Sequence, residues 1–335
     1  MKLELNSPLD MHLHLRDGDM LKVVAPLSAK SFSGAIIMPN LVPPITDLDM
    51  LRSYKNRIKD AIGDESFALY MTLFFKDSYD YEFLKEAKEF ISGIKLYPAG
   101  ITTNSEGGVS KIDTNSLKMT LEAMSELEIP LLVHGESNGF VMDREMEFVP
   151  IYEELAESFP KLTIIMEHIT TKESASALKK HKNLFATITL HHLLITLDDV
   201  AGGLLAPHLF CKPIAKREED REALLNLALS GDEKVMFGSD SAPHPKSAKE
   251  SCGCAAGVFT APIALQALAE LFEKHSKLEN LQKFVSDNAQ NIYKISPPKK
   301  RVILEKKPFL VPDSYGEVVP MFAKSELSWQ ISSIS

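Results

Sequence analysis

Short apolar runs, nearly continuous rather than alternating, recur along this chain with helically spaced stretches between them. Continuous runs are how strands buried on both faces read, because helices cover each side of a parallel sheet. The runs fall at 8–15, 34–39 (GAIIMP), 67–75 (FALYMTLFF), 93–97 (GIKLY), 130–134 (PLLVH), 162–168 (LTIIMEH), 184–190 (LFATITL) and 234–240 (KVMFGSD). Helical spacing marks 50–62, 81–91, 116–127, 151–159, 172–181, 217–230 and 258–275, with Asp113 and Thr114 as N-caps ahead of Leu117. Strands alternating with helices predict an α/β fold, and eight strands are the number that closes a (β/α)8 TIM barrel. An open doubly wound sheet is the rival architecture, but no glycine-rich phosphate loop follows the first run. No linker or shift in composition splits the chain, so we expect one domain over 1–335, with the barrel at roughly 7–295 and a small C-terminal extension at 296–335.

Charge and cysteine content narrow the function. The net charge of -9 lacks the basic face a nucleic-acid binder needs. A local arginine or cation still leaves room for an anionic small substrate. No apolar stretch approaches the ~20 residues of a membrane span, and Met1 to Leu15 has no basic segment followed by an apolar one. Three cysteines, Cys211, Cys252 and Cys254, do not make a disulfide framework, so a reducing cytoplasmic setting is expected.

In a barrel of this kind the chemistry gathers at the C-terminal ends of the strands. His12 and His14 end the first run, Lys95 sits in the fourth, His134 and His168 end the fifth and sixth, and Asp240 ends the eighth. Alternation places His12 and His14 on one face of their strand. Taken alone, that pair also fits an ordinary surface strand. Lys95 is costly to bury unless paired with a carboxylate or neutralised, and a neutral amine that captures carbon dioxide becomes an anionic bidentate ligand. Four imidazoles, one lysine and one carboxylate exceed a single tetrahedral site and suit two divalent ions ~3.5–4 Å apart, with zinc favoured by the imidazoles. Cys252 and Cys254 have no second metal-binding pair and read as a loop. His191 and His192 read as packing or solvent contacts, Glu218–Asp220 as a helix start, and Lys299–Arg301 as solvated.

Several segments together resemble the dihydroorotase family in its shorter, bacterial class II form, within the amidohydrolase superfamily. They are MHLHLRDGDML (11–21), IIMPNLVPP (36–44), KLYPAGITTNS (95–105), PLLVHGE (130–136), EHITTK (167–172), PHLFCKPI (207–214), GSDSAPH (238–244) and KESCGCAAG (249–257). The resemblance implies two Zn2+ per subunit. One is held by His12, His14 and Asp240, the other by His134 and His168, and an N6-carboxylated Lys95 bridges them. It implies that Arg16, Asn40 and His244 bind the substrate carboxylate, with backbone contacts at Lys212 and Ala255. Thr102 and Thr103 match the tip of a mobile loop. The implied reaction is reversible closure of N-carbamoyl-L-aspartate to L-dihydroorotate, the third step of pyrimidine synthesis, with a metal-bridging hydroxide as nucleophile in ring opening, Asp240 as general acid and base, and a homodimer as the assembly. Lys212 stands where the family carries an apolar residue, so its side chain is expected to point away from the pocket. Two rivals remain: a hydantoinase-like cyclic-amide hydrolase, and a metal-free scaffold for another pyrimidine enzyme.

Overall fold

The computed structural model describes Met1–Ser335. A first strand, β1 (Lys2–Asn6), precedes eight parallel strands hydrogen-bonded in chain order. These are β2 (Leu9–Leu13), β3 (Gly34–Ile37), β4 (Ala68–Phe74), β5 (Gly93–Leu96), β6 (Leu131–Val133), β7 (Ile164–Met166), β8 (Leu184–Ile188) and β9 (Val235–Phe237). The ring closes where the Asp240 N–H donates to His12 O at 2.9 Å and Leu13 bridges Ser241 in parallel. Gly238 lies at this seam, and a Cβ there would come within 2.9 Å of the His12 Cβ. The fold is the expected (β/α)8 barrel.

Two apolar layers hold it. The larger packs the outer strand faces against the helices, as with Leu13, Leu73, Leu96 and Val133. The smaller fills the barrel itself with Leu9, Met11, Ile36, Met38, Leu132, Ile165 and Met236, joined by Ala289 of the helix Asn288–Tyr293. Leu9 and Met11 are inside, and so are His12 and His14, which a strict two-residue alternation forbids. A register shift resolves this: Asp10 pairs with Ala35 but Leu13 pairs with Ile37, so β2 carries one extra residue against β3. That β-bulge reverses the phase of β2 and turns both histidines into the mouth.

Most helices lie where the spacing puts them, at Leu48–Ile62, Tyr81–Ala87, Lys172–Lys180, Glu218–Leu229 and Ala264–Lys274. Helix Arg144–Ser158 begins earlier than expected because it runs through Pro150, and Gly18–Ser31, with Pro26 inside it, was not anticipated. Asp113 caps the turn before helix Lys118–Glu126 rather than the helix itself, accepting from the Asn115 and Ser116 N–H groups. The extension is not purely C-terminal. β1 pairs with β10 (Arg301–Leu310), which pairs with β11 (Glu326–Ile334), in an antiparallel sheet outside the barrel. Lys300 corrects the expectation of a solvated basic run. It is buried, and its Nζ donates to Phe32 O at 2.9 Å and also to Ala29 O, which closes off the end of helix Gly18–Ser31.

Candidate metal centre and substrate cavity

Strand ends bring the expected ligands together. His12 Nε2 lies 3.3 Å from His14 Nε2, and Asp240 Oδ1 lies 3.1 Å from His14 Nε2 and 3.6 Å from His12 Nε2. His134 Nδ1 lies 3.2 Å from His168 Nε2, and the His168 ring packs 4.9 Å from the His12 ring. Donors about 2.1 Å from one ion at tetrahedral angles are roughly 3.4 Å apart, so each group has the spacing of ligands around a cation. Lys95 is fully buried between them. Its Nζ has no hydrogen-bond partner and lies 5.0 Å from the Tyr97 ring centroid. Burial pulls its pKa down to about 8, although Glu167 and Asp240 oppose the shift. An orphaned buried amine this close to neutral fits a lysine that takes up carbon dioxide.

The chain stores backbone strain here. Arg16, His168 and Asp240 have φ of 59°, 42° and 41°, a left-handed conformation that costs a non-glycine residue about 1–3 kcal/mol. At Asp240, burial favours the neutral form, but the His14 hydrogen bond and the neighbouring imidazoles outweigh it and hold the carboxyl at about 2.

Two carboxylates that the sequence reading passed over fix the imidazoles. Glu167 Oε2 lies 2.7 Å from His12 Nδ1 and accepts from Thr187 Oγ1 at 2.6 Å. Glu136 Oε2 lies 2.7 Å from His134 Nε2. A proton held on the outer nitrogen leaves the inner one free to ligate, so His12 presents Nε2 and His134 presents Nδ1. Gly135 separates His134 from Glu136 because a Cβ there would sit 2.1 Å from the Tyr152 hydroxyl. Asp10 straps the barrel seam beneath them, accepting from the Ser239 N–H at 2.8 Å and its hydroxyl at 2.5 Å.

The mouth is a small cavity lined by His12, His14, His134, His168, Asp240, Arg16, Asn40, Tyr97, Thr102, Thr103, Lys212, Ala242, Ala256 and Gly257. Arg16 Nε donates to Pro243 O at 3.0 Å, and Nη2 lies 3.0 Å from His244 Nε2. That nitrogen is also 3.0 Å from Ala256 O, so only one of its two hydrogen bonds forms at a time. Burial, reinforced by Arg16, drops His244 to about 3 and keeps it neutral. Ala255 is off the wall, its N–H spent on Ala248 O at 3.0 Å. The loop carrying Thr102 and Thr103 is tied down from two sides. Asn40 Nδ2 donates to Thr103 O and Lys212 Nζ donates to Ile101 O, both at 3.0 Å. The Lys212 side chain thus turns toward the cavity and its loop, the reverse of the expectation, because the loop offers a carbonyl within its reach. His191 and His192 are buried outside the lining, in the short helix Leu190–Leu194.

A barrel with metal-ligand side chains at its strand ends defines a metal-dependent hydrolase, and comparison with known proteins places it. The amidohydrolase family model matches residues 9–300, and the chain belongs to the amidohydrolase family. Within that family its near relatives are dihydroorotases. One from Helicobacter acinonychis (strain Sheeba) is 45% identical over 100% of both chains. The crystal structure of dihydroorotase from Campylobacter jejuni is 60% identical, with a TM-score of 0.95, over 99% of this chain and 98% of that one. Dihydroorotase from Saccharomyces cerevisiae in complex with 5-fluoroorotic acid is 35% identical, with a TM-score of 0.92, over 98% of each chain.

Proposed function

We propose that this chain is a dihydroorotase, closing N-carbamoyl-L-aspartate to L-dihydroorotate and reopening it, as the third step of de novo pyrimidine synthesis. The observation that carries the reading is the shared cavity. Arg16, backed by His244 and near Asn40, lines the same cavity as His12, His14, His134, His168 and Asp240. His12, His14 and Asp240 would hold one Zn2+ and His134 and His168 the other, with an N6-carboxylated Lys95 between them. When bound, the ion pair supplies an activated water and polarises the amide carbonyl. The remaining work falls to the chain. Arg16 takes the substrate carboxylate through its free guanidinium hydrogens, and neutral Asn40 adds a hydrogen bond. Held ionised, Asp240 accepts a proton from the attacking water and delivers it to the departing ring nitrogen. Ring closure runs the same transfers backward. Thr102 and Thr103 close the cavity against bulk water, with Lys212 and Asn40 as the anchors of their loop.

We assign the molecule to the cytoplasm as a homodimer acting on a small-molecule substrate; no helix is long and apolar enough to cross a membrane. The test is turnover of dihydroorotate by zinc-loaded protein, followed by loss of ring absorbance. Zinc-replete protein that is inert toward it overturns the reading. A hydantoinase-like activity is separated by Arg16→Ala: the proposal expects a large rise in KM for the carboxylated ring, whereas an enzyme for uncharged rings is indifferent.

A further inference from the structure

A second donor cluster lies outside the mouth. His191, His192 and Cys211 each place one ligand atom within 4.8 Å of the other two, and all three are buried. His191 and His192 belong to helix Leu190–Leu194, and Cys211 to the segment that leads into Lys212. A fourth donor converges on them. Pro213 O lies 3.0 Å from His192 Nε2 and 3.2 Å from Cys211 Sγ, and those two atoms are 3.5 Å apart. Sulfur at about 2.3 Å and nitrogen or oxygen at about 2.0 Å from a tetrahedral zinc are roughly 3.3–3.6 Å apart, so this triangle is within a few tenths of an ångström of one face of such a site. The remaining vertex has a candidate in want of a partner. Both ring nitrogens of His191 are buried without a hydrogen bond, and burial drops its pKa to about 3, so the ring is a neutral donor. An orphaned imidazole inside a protein calls for an ion or a water.

We propose that His191, His192, Cys211 and the Pro213 carbonyl form a second, structural zinc site, separate from the barrel mouth. Filling it balances simply. The Cys211 thiol loses its proton to solvent and the thiolate sulfur binds the ion. His192 moves its proton from Nε2 to Nδ1, which lies 2.9 Å from Thr189 Oγ1 and donates there. Zinc with one thiolate and two neutral imidazoles carries one net positive charge. Burial pushes the Cys211 thiol up to about 12, so its proton leaves only as the ion binds; the Lys249 ammonium, bound to Phe210 O, Ala255 O and Gly257 O, pulls the other way. The consequence reaches the substrate loop. The ion would clamp Cys211 and Pro213 on either side of Lys212, whose ammonium holds Ile101 O.

Sulfur makes the test independent of the mouth, whose ligands are all nitrogen and oxygen. The protein is prepared with Cys252→Ser and Cys254→Ser to remove the other two thiols, then loaded with cobalt(II). The expected result is a near-ultraviolet sulfur-to-cobalt charge-transfer band and one equivalent of metal per chain beyond the mouth. Cys211→Ser abolishes the band while the visible cobalt bands of the mouth remain, and His191→Gln weakens occupancy of the extra site at least tenfold. X-ray absorption on the zinc-loaded protein needs no further variant and shows a sulfur neighbour about 2.3 Å from zinc. A filled mouth with no charge-transfer band and no sulfur neighbour overturns the proposal and leaves a plain hydrogen-bonded cluster. A band that survives Cys211→Ser in folded protein overturns it equally.

Discussion

The two ends of the barrel are built from the same strands and obey opposite rules. At the floor, Leu9, Met11, Ile36, Met38, Leu132, Ile165 and Met236 close on one another and on Ala289, with the Tyr293 hydroxyl the one orphaned group packed against them. At the mouth the strands continue into His12, Lys95, His134, His168 and Asp240. There the backbone turns left-handed at two of those residues and at Arg16, and Lys95 Nζ and His168 Nδ1 have no partner. Packing alone explains the floor, whereas nothing in the folding of the chain explains the mouth. Strain and orphaned polar groups persist only where the surrounding structure over-determines them, and the floor with its helical jacket does so. The contrast separates residues that hold the barrel from residues that use it, and substitution at either end tests the separation.

The largest effect is expected at Lys95. Lys95→Ala removes the proposed bridge between the two ions, and turnover should fall by more than the roughly 10²–10⁴-fold that proton transfer alone contributes. Metal content should drop with it, and short carboxylic acids should restore part of the rate by filling the vacated space. Lys95→Met, which keeps the buried stem, should not destabilise the metal-free protein, because the lost group is a buried amine without a partner. A marked drop in its melting temperature would move Lys95 to the structural side of the comparison. Asp240→Ala comes next, with kcat lower by roughly 10²–10⁴-fold and substrate binding changed far less. An active Asp240→Ala enzyme would remove the proposed proton carrier.

The floor should answer in the other currency. Leu132→Ala is expected to cost about 2–5 kcal/mol in denaturant unfolding and to leave kcat per folded molecule unchanged. A large change in kcat would show that the two ends are mechanically coupled.

The mouth alone should also respond to pH. Lys95 falls from an ordinary 10.5 to about 8, so below pH 8 its reactive neutral fraction drops about tenfold per unit. At a fixed concentration of dissolved carbon dioxide, metal loading should therefore rise through pH 6 and 7 and level off above 8. The sign for stability follows from the same shift. The folded, metal-free protein binds fewer protons at Lys95 than the unfolded chain between about pH 8 and 10.5. The penalty of burying the ammonium is complete below that window and is relieved as pH rises through it. A loading rate flat from pH 6 to 8 at fixed dissolved carbon dioxide would contradict a neutral amine as the reactive form.

How much of this was readable from the chain depends on the range of the interactions. Strands buried on both faces announce themselves locally, and a histidine or aspartate just past such a run is visible at once, as at His134, His168 and Asp240. The bulge in β2 was not, since it exists only in the pairing of Asp10 and Leu13 with β3. Glu136 was within reach: it follows His134 by only two residues and is a carboxylate, the partner an imidazole ligand asks for. Glu167 meets His12 only once the barrel has closed. β1 and β10 pair across nearly the whole chain, and helix Gly18–Ser31 hides behind Pro26, which reads as a break.

Lys212 gives the smallest effect and the finest cut. Its apolar stem and charged tip belong to neither end: it stands at the rim, and its one hydrogen bond reaches Ile101 O of the loop over the cavity. Lys212→Met keeps the bulk and removes the donor. A single hydrogen bond from a charged group nets about 1.5–3 kcal/mol when fully sheltered and less at a half-buried rim, so a rise in KM of several-fold is expected. Because the bond holds the loop rather than the reacting atoms, kcat should hold steady, or rise where loop opening limits product release. Steady-state kinetics in both directions read this directly. A fall in kcat with KM unchanged would place the Lys212 ammonium among the groups that act on the reacting atoms.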